Sequence, residues 1–216
     1  MSIRRAQDER LEGTPDGVSA ISEIMDFPDA PSVSAADVGT SRAYNNGAAT
    51  VTVTAATTGG TPATYNVIST PGSFTASGTS PLTVTGLQSG TSYTFQATGV
   101  TSGSLTGIQS SSSSSITATT VPQVPGTPTA TVTNSTTVSL AFTAGATGGK
   151  SITGYTVVAT PSVGDIATSS TSSPLTVTGT FAGGTSYTFT IAATNANGTS
   201  TASSSSNSVT PIPQYT

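Results

Sequence analysis

Few side chains in this 216-residue sequence can do chemistry. It has no cysteine, no histidine and no tryptophan. Disulfides, thiolate or imidazole metal ligands and a histidine base are therefore excluded. Beyond residue 30 the only acids are Asp37 and Asp165, and the only bases are Arg42 and Lys150. Glycoside hydrolysis needs a pair of carboxylates, and a calcium site usually gathers several. One aspartate per stretch supplies neither, so no enzyme and no cofactor is expected, and a calcium site on Asp37 or Asp165 would be weak. Asn134-Ser-Thr136 and Asn197-Gly-Thr199 fit the N-glycosylation pattern, a match that a Ser/Thr-rich chain produces by chance. Tyr44, Tyr65 and Tyr155 could form a sugar platform if exposed, although packing in a sheet or loop is the commoner fate of such residues.

What must position these residues is read from charge and periodicity. Residues 1–30 carry Arg4, Arg5 and Arg10 against Asp8, Glu9, Glu12, Asp16, Glu23, Asp26 and Asp29, three bases against seven acids, while residues 31–216 balance to zero. The whole net charge of −4 sits on this arm, and the break marks a domain boundary. Three arginines so closely matched by acids do not suggest nucleic acid. Thr14-Pro-Asp-Gly17 is a turn signal. Val18, Ile21, Ile24 and Met25 then recur at helical spacing, so residues 19–27 could form two turns of amphipathic helix, ended by Pro28. So short a helix is marginal alone. Its apolar residues, Val18, Ile21, Ile24, Met25 and Phe27, pack on the first sandwich, anchor the chain in a larger assembly, or stay disordered.

Past the arm, charged residues give way to Ser and Thr, and apolar residues alternate. Ala49-Thr-Val51-Thr-Val53-Thr-Ala55 and Thr137-Val138-Ser-Leu140-Ala-Phe142 have the period of half-buried strands. The stretch Ser173-Pro-Leu-Thr-Val-Thr-Gly179, followed by Gly184-Thr-Ser-Tyr187-Thr-Phe189, nearly copies Ser80-Pro-Leu-Thr-Val-Thr-Gly86, followed by Gly90-Thr-Ser-Tyr93-Thr-Phe95. An internal repeat of this length predicts two all-β modules, each with one modest core. The boundaries are an arm at 1–30, a first sandwich at 31–120, a proline-rich linker at 121–128 and a second sandwich at 129–213. Three prolines in the linker make it a short semi-rigid spacer. Seven short strands per module fit two packed antiparallel sheets, with most threonines facing out. The serine run Ser110–Ser115 and the serines before Val209 read as the last edge strands. They lack the lysines that usually guard an edge, so either self-association into a homo-oligomer or packing against neighbouring proteins is expected there.

Pro125-Gly-Thr-Pro128, Ser151-Ile-Thr-Gly-Tyr155-Thr-Val157, the run from Gly184 through Tyr187 and Phe189 to Asn195-Ala-Asn-Gly198, and Ser206-Asn-Ser-Val209 resemble a fibronectin type III domain. The resemblance covers about 31–212 and is stronger in the second module. It implies two tandem seven-stranded immunoglobulin-like sandwiches behind a short, partly helical arm. It makes Tyr187 and Tyr93 corner tyrosines whose hydroxyls bond back to the backbone. Tyr155 and Tyr65 match the third-strand aromatic, and Phe142 stands near the family's second-strand tryptophan, where the first module has only small residues around Ala55. Tyr93, Tyr187, Tyr155, Phe142 and Phe189 are the expected core.

Thr/Ser-rich domains of this kind resemble those of tailed-phage virions and bacterial surface proteins. The start of the sequence has basic residues with no apolar stretch behind them, so it is not a secretory signal, and no apolar run approaches a membrane span. The expected function is a non-enzymatic virion protein, namely a capsid decoration, fibre or tail appendage. Its partners would be capsid or tail proteins, with weak contact to host-surface glycan and no nucleic acid or membrane insertion. The alternatives are a bacterial surface adhesion or carbohydrate-associated module, and an assembly adaptor of a tail or baseplate.

Overall fold

The computed structural model describes residues 26–168 and 171–212. The arm residues Val18, Ile21, Ile24 and Met25, with the helix proposed for them, lie outside this range. Every regular element within it is a strand. In the first module β1 (Ser32–Asp37), β2 (Gly47–Thr54) and β5 (Leu82–Leu87) form one antiparallel sheet. The facing sheet runs β4 (Thr75–Gly78), β3 (Thr64–Thr70), β6 (Ser92–Val100) and β7 (Thr106–Gln109), and β8 (Ile116–Thr117) also pairs with β6. Alternation explains the packing: Val51 and Val53 of β2 point inward while Thr52 and Thr54 face solvent. Val51, Val67, Val84, Leu87, Tyr93 and Phe95 are the largest fully or nearly fully buried side chains of this core.

The second module starts with β9 (Thr129–Asn134) and β10 (Thr137–Ala141), followed by β11 (Gly154–Thr160) and the two-residue β12 (Ala167–Thr168). It continues with β13 (Leu175–Thr178), β14 (Thr188–Asn195) and β15 (Gly198–Thr199). Its sheets are β12-β13-β10-β9 and β11-β14-β15. The fourth strand has thus changed sides. β4 pairs with β3 in the first module, whereas β12 pairs with β13, across the sandwich, in the second. The core holds Val138, Leu140, Leu175, Val177, Phe189 and Ile191, all fully buried, with Tyr187 and Tyr155 nearly so. Phe142 is half-buried and sets its ring edge-on to Tyr155 at 4.9 Å, a favoured aromatic geometry. The first module makes up for its small second strand from another place. Phe74, just before β4, packs edge-on against Tyr93 at 5.9 Å, while Ala55 is exposed.

Two corner bonds close the modules. The Tyr93 hydroxyl accepts the N–H of Gln88 at 3.0 Å, and the Tyr187 hydroxyl accepts that of Ala182 at 2.9 Å.

The last edge departs from the sequence reading of one plain final strand per module. In the second module Ser200, Ser203 and Ser206 each donate their N–H to the carbonyl of Ala193, Ile191 and Phe189. Each serine Oγ accepts the N–H of that same β14 residue at 3.0 Å. The hydroxyl then donates to the carbonyl of the next residue along the edge. Ser110 and Ser113 do the same against Ala97 and Phe95 of β6. Three edge residues therefore pass for every two of the neighbouring strand. Two strand residues span about 6.7 Å, so the edge rises only about 2.2 Å per residue, a run of consecutive bulges rather than a strand. Such an edge does not present the evenly spaced donors and acceptors that strand addition needs. The serines make this edge irregular without any charge, and they break the first module's last strand into β7 and β8.

Candidate functional site: a wedged joint and a seated arm

Between the sandwiches, residues 119–123 pass through a hydrogen-bonded wedge rather than a free spacer. Asp37, at the end of β1, accepts the Thr119 N–H at 3.0 Å and the Thr119 hydroxyl. Asn197, in the hairpin after β14, donates its amide to Thr119 Oγ1 at 2.8 Å and to the Thr120 carbonyl at 3.1 Å. Asn195 donates to the same Thr120 carbonyl at 2.9 Å and to the Thr147 carbonyl at 2.8 Å, and its Oδ1 accepts the Asn197 N–H. Backbone bonds complete the wedge. Thr120 donates to Gly148, Val121 to Arg42, Gln123 to Ala146, and Ser41 to the Asn197 carbonyl. Thr119, Thr120, Asn195 and Asn197 are all buried, and among the described residues no buried side-chain polar atom lacks a partner. That matters, since an unpaired group here would cost about 1–3 kcal/mol. Gly39 makes the approach possible: a Cβ there would stand 2.2 Å from Thr119 Oγ1.

Asp37 ties the first module to its own exit strand at Thr119. Asn197 lies in a glycosylation pattern, yet its amide nitrogen is buried and donated twice. Asp165 and Lys150 are exposed, and Arg42 donates its Nε–H to the Asn46 carbonyl at 2.7 Å. Among the described residues no three His, Cys, Asp or Glu side chains gather in one place, and no helix is long and apolar enough to cross a membrane. Of the three tyrosines considered as sugar platforms, Tyr65 and Tyr155 are buried. Tyr44 is half-exposed and lines a groove of about 310 Å³ beside the joint, together with Val121, Pro122 and Thr201. Burial holds the Tyr155 hydroxyl above its ordinary pKa.

The start of the described chain is seated just as closely, at the other end of the first module. Pro28 is buried and bridges Gly59, the Ile108 N–H donates to the Pro28 carbonyl at 3.0 Å, and the Gly60 N–H donates to that of Phe27 at 3.1 Å. The Thr58 hydroxyl donates to Asp29 at 2.6 Å. A Cβ on Gly60 would stand 1.9 Å from the Asp26 carbonyl oxygen, and one on Gly107 would stand 2.1 Å from that of Pro28. Phe27, the one anchor candidate within the described residues, is 47% exposed, with Ile108 also exposed nearby. The seat lies at the Thr54 end of β2 and the joint at its Gly47 end, seven residue steps or about 23 Å apart.

Residues 123–209 match the sequence model of the Fibronectin type III domain family. Among solved structures, a chain comprising titin kinase and its flanking domains is 27% identical, with a TM-score of 0.34, over 42% of this chain and 17% of that one. The FN1 to FN3 domains of chicken CNTN1 are 18% identical, with a TM-score of 0.41, over 87% of this chain and 69% of theirs. A further segment of titin is 16% identical, with a TM-score of 0.42, over 85% and 67%. This chain spans under a fifth of the length of the first of these. No curated protein matches.

Proposed function

We propose that this chain is a non-catalytic structural protein of a virion, a capsid decoration, fibre or tail appendage, held by residues 1–30 and projecting its two sandwiches outward. One observation carries the reading. The seat of residues 26–29 and the wedge of residues 119–123 stand at opposite ends of the first module, so residue 26 and the second module lie at opposite ends of it. A chain built this way separates what the arm holds from what the second module meets, and the hydrogen-bonded wedge fixes the separation. The charge distribution fits: the arm carries the whole net charge, and the sandwiches present neutral hydroxyls. The fibronectin type III match of the second module fits a scaffold and leaves the setting open.

The test is cosedimentation with capsid shells and tails assembled from the genes flanking this one. The full chain is expected to sediment with one of the two particles, and a chain lacking residues 1–25 is expected to stay in the supernatant. That deletion leaves the seated residues 26–29 intact. Sedimentation of the truncated chain would move the attachment to a sandwich face. Failure of the full chain to sediment with either particle would refute the virion reading.

A further inference from the structure

We infer that the outer edge of β11 pairs with the same edge of a second copy of this chain, making a continuous sheet across a two-fold axis. β14 turns the N–H groups of Phe189, Ile191 and Ala193 toward the serine edge. Its alternate residues therefore face β11, where Thr188, Thr190, Ala192 and Thr194 stand opposite Thr160, Val158, Thr156 and Gly154. By the alternation of an antiparallel ladder, the N–H and C=O groups of Tyr155, Val157 and Ala159 point the other way. In the first module the counterparts Tyr65 and Val67 are met by Gly78 and Ala76 of β4, and the Ser69 N–H donates to the Phe74 carbonyl. In the second module β12 has gone to β13 instead. Among the described residues no strand pairs with the outer side of β11. Residues 169–170 are too few to close it: two residues reach about 7 Å, and the span from Tyr155 to Ala159 is about 13 Å.

The edge suits a copy of itself. Gly154-Tyr-Thr-Val-Val-Ala-Thr160 carries no charge and no proline, so neither of the usual guards against pairing is present. Centred on Val157, an antiparallel pairing sets Val157 against its own copy and Tyr155 against Ala159 of the other copy. That satisfies all three outward residues on each chain, through about six backbone bonds. The same register places Thr156 opposite Val158 of the other copy in the closer, non-hydrogen-bonded pairing, and Val158 is 57% exposed in the single chain. The contact is isologous and closes at two copies. It is also small, which puts it in the weak, transient class.

The test is sedimentation of the full chain up to about 1 mM, where even a weak association is half-formed. The expected result is a monomer–dimer equilibrium. Thr156→Lys/Val158→Lys and Thr156→Glu/Val158→Glu should each be monomeric with near-unchanged melting, since both sites are exposed. Their equimolar mixture should dimerise again, because each lysine then faces a glutamate. Ser204→Lys, on the serine edge, should leave the equilibrium unchanged. Should a charged variant fail to fold, cross-linking decides, without background because the chain has no cysteine. A mixture of Thr156→Cys and Val158→Cys should form the mixed disulfide faster than either forms its own. A monomeric wild type, dimers that survive the lysines, loss of dimer in Ser204→Lys, or no preference for the mixed disulfide would each overturn the proposal.

Discussion

Replacing Asn197 with alanine tests whether the two modules are joined by the wedge or merely lie beside it. The change removes two hydrogen bonds, to Thr119 Oγ1 and to the Thr120 carbonyl. The groups left behind are not orphaned. The Thr120 carbonyl keeps Asn195 as donor, and the Thr119 hydroxyl keeps Asp37 as acceptor. The loss is therefore two net bonds without a large desolvation penalty, about 2 kcal/mol in all. For a module of this size that lowers the melting temperature by roughly 8–16 °C. The sharper readout is amide exchange at Thr120 and Val121, whose N–H groups are held by Gly148 and Arg42. If opening of the wedge exposes them, 2 kcal/mol makes exchange about 30-fold faster at those two amides. Amides deep in β2, such as Val51, should exchange as before. Asn134→Ala is the control, because that asparagine is exposed and bonds only to Thr136 in its own turn. Equal effects of the two substitutions, or exchange at Thr120 that does not move, would refute the account of the joint.

Two further outcomes follow from the same reasoning. Ser203→Ala should destabilise the second module by about 1–3 kcal/mol in chemical denaturation, because it strands the buried Ile191 N–H. Ser204→Ala, one residue on and exposed, should lie within about 0.5 kcal/mol of wild type. Stability should be flat with pH as far as Tyr155 is concerned below its ordinary value of 10.0, and should fall as pH rises past it. There the unfolded chain releases the phenol proton while the folded chain retains it, so the unfolded state binds fewer protons. Tyr155→Phe should remove that part of the decline in a denaturation series.

Strands were legible because their signal is local. The alternation of Ala49–Ala55 and of Thr137–Phe142 declares β2 and β10, and the repeated Tyr-Thr-Phe runs declare β6 and β14. The serine edge was half-legible. In Ser200-Thr-Ala-Ser203-Ser-Ser-Ser206 the period of three can be seen afterwards, but Ser110–Ser115 hides it because every position is serine. The joint gave no local signal. Asp37, Gly39, Thr119 and Asn197 meet only in the folded chain, with Thr119 82 positions after Asp37 and Asn197 78 positions after Thr119. Nor does composition show that β12 crosses to β13, since that depends on which edge the chain reaches after β11.

The three-to-two gearing of the serine edge sets a rule for how the edge can change. Only every third residue must carry a hydroxyl; the two between answer to solvent alone, so the segment can look like low-complexity filler while being spelled in triplets. Insertions or deletions of three residues would shift the chain by one whole step and keep the remaining hydroxyls in phase with the neighbouring strand. A change of one or two would put the wrong side chains under the neighbouring strand and unfasten the module's flank.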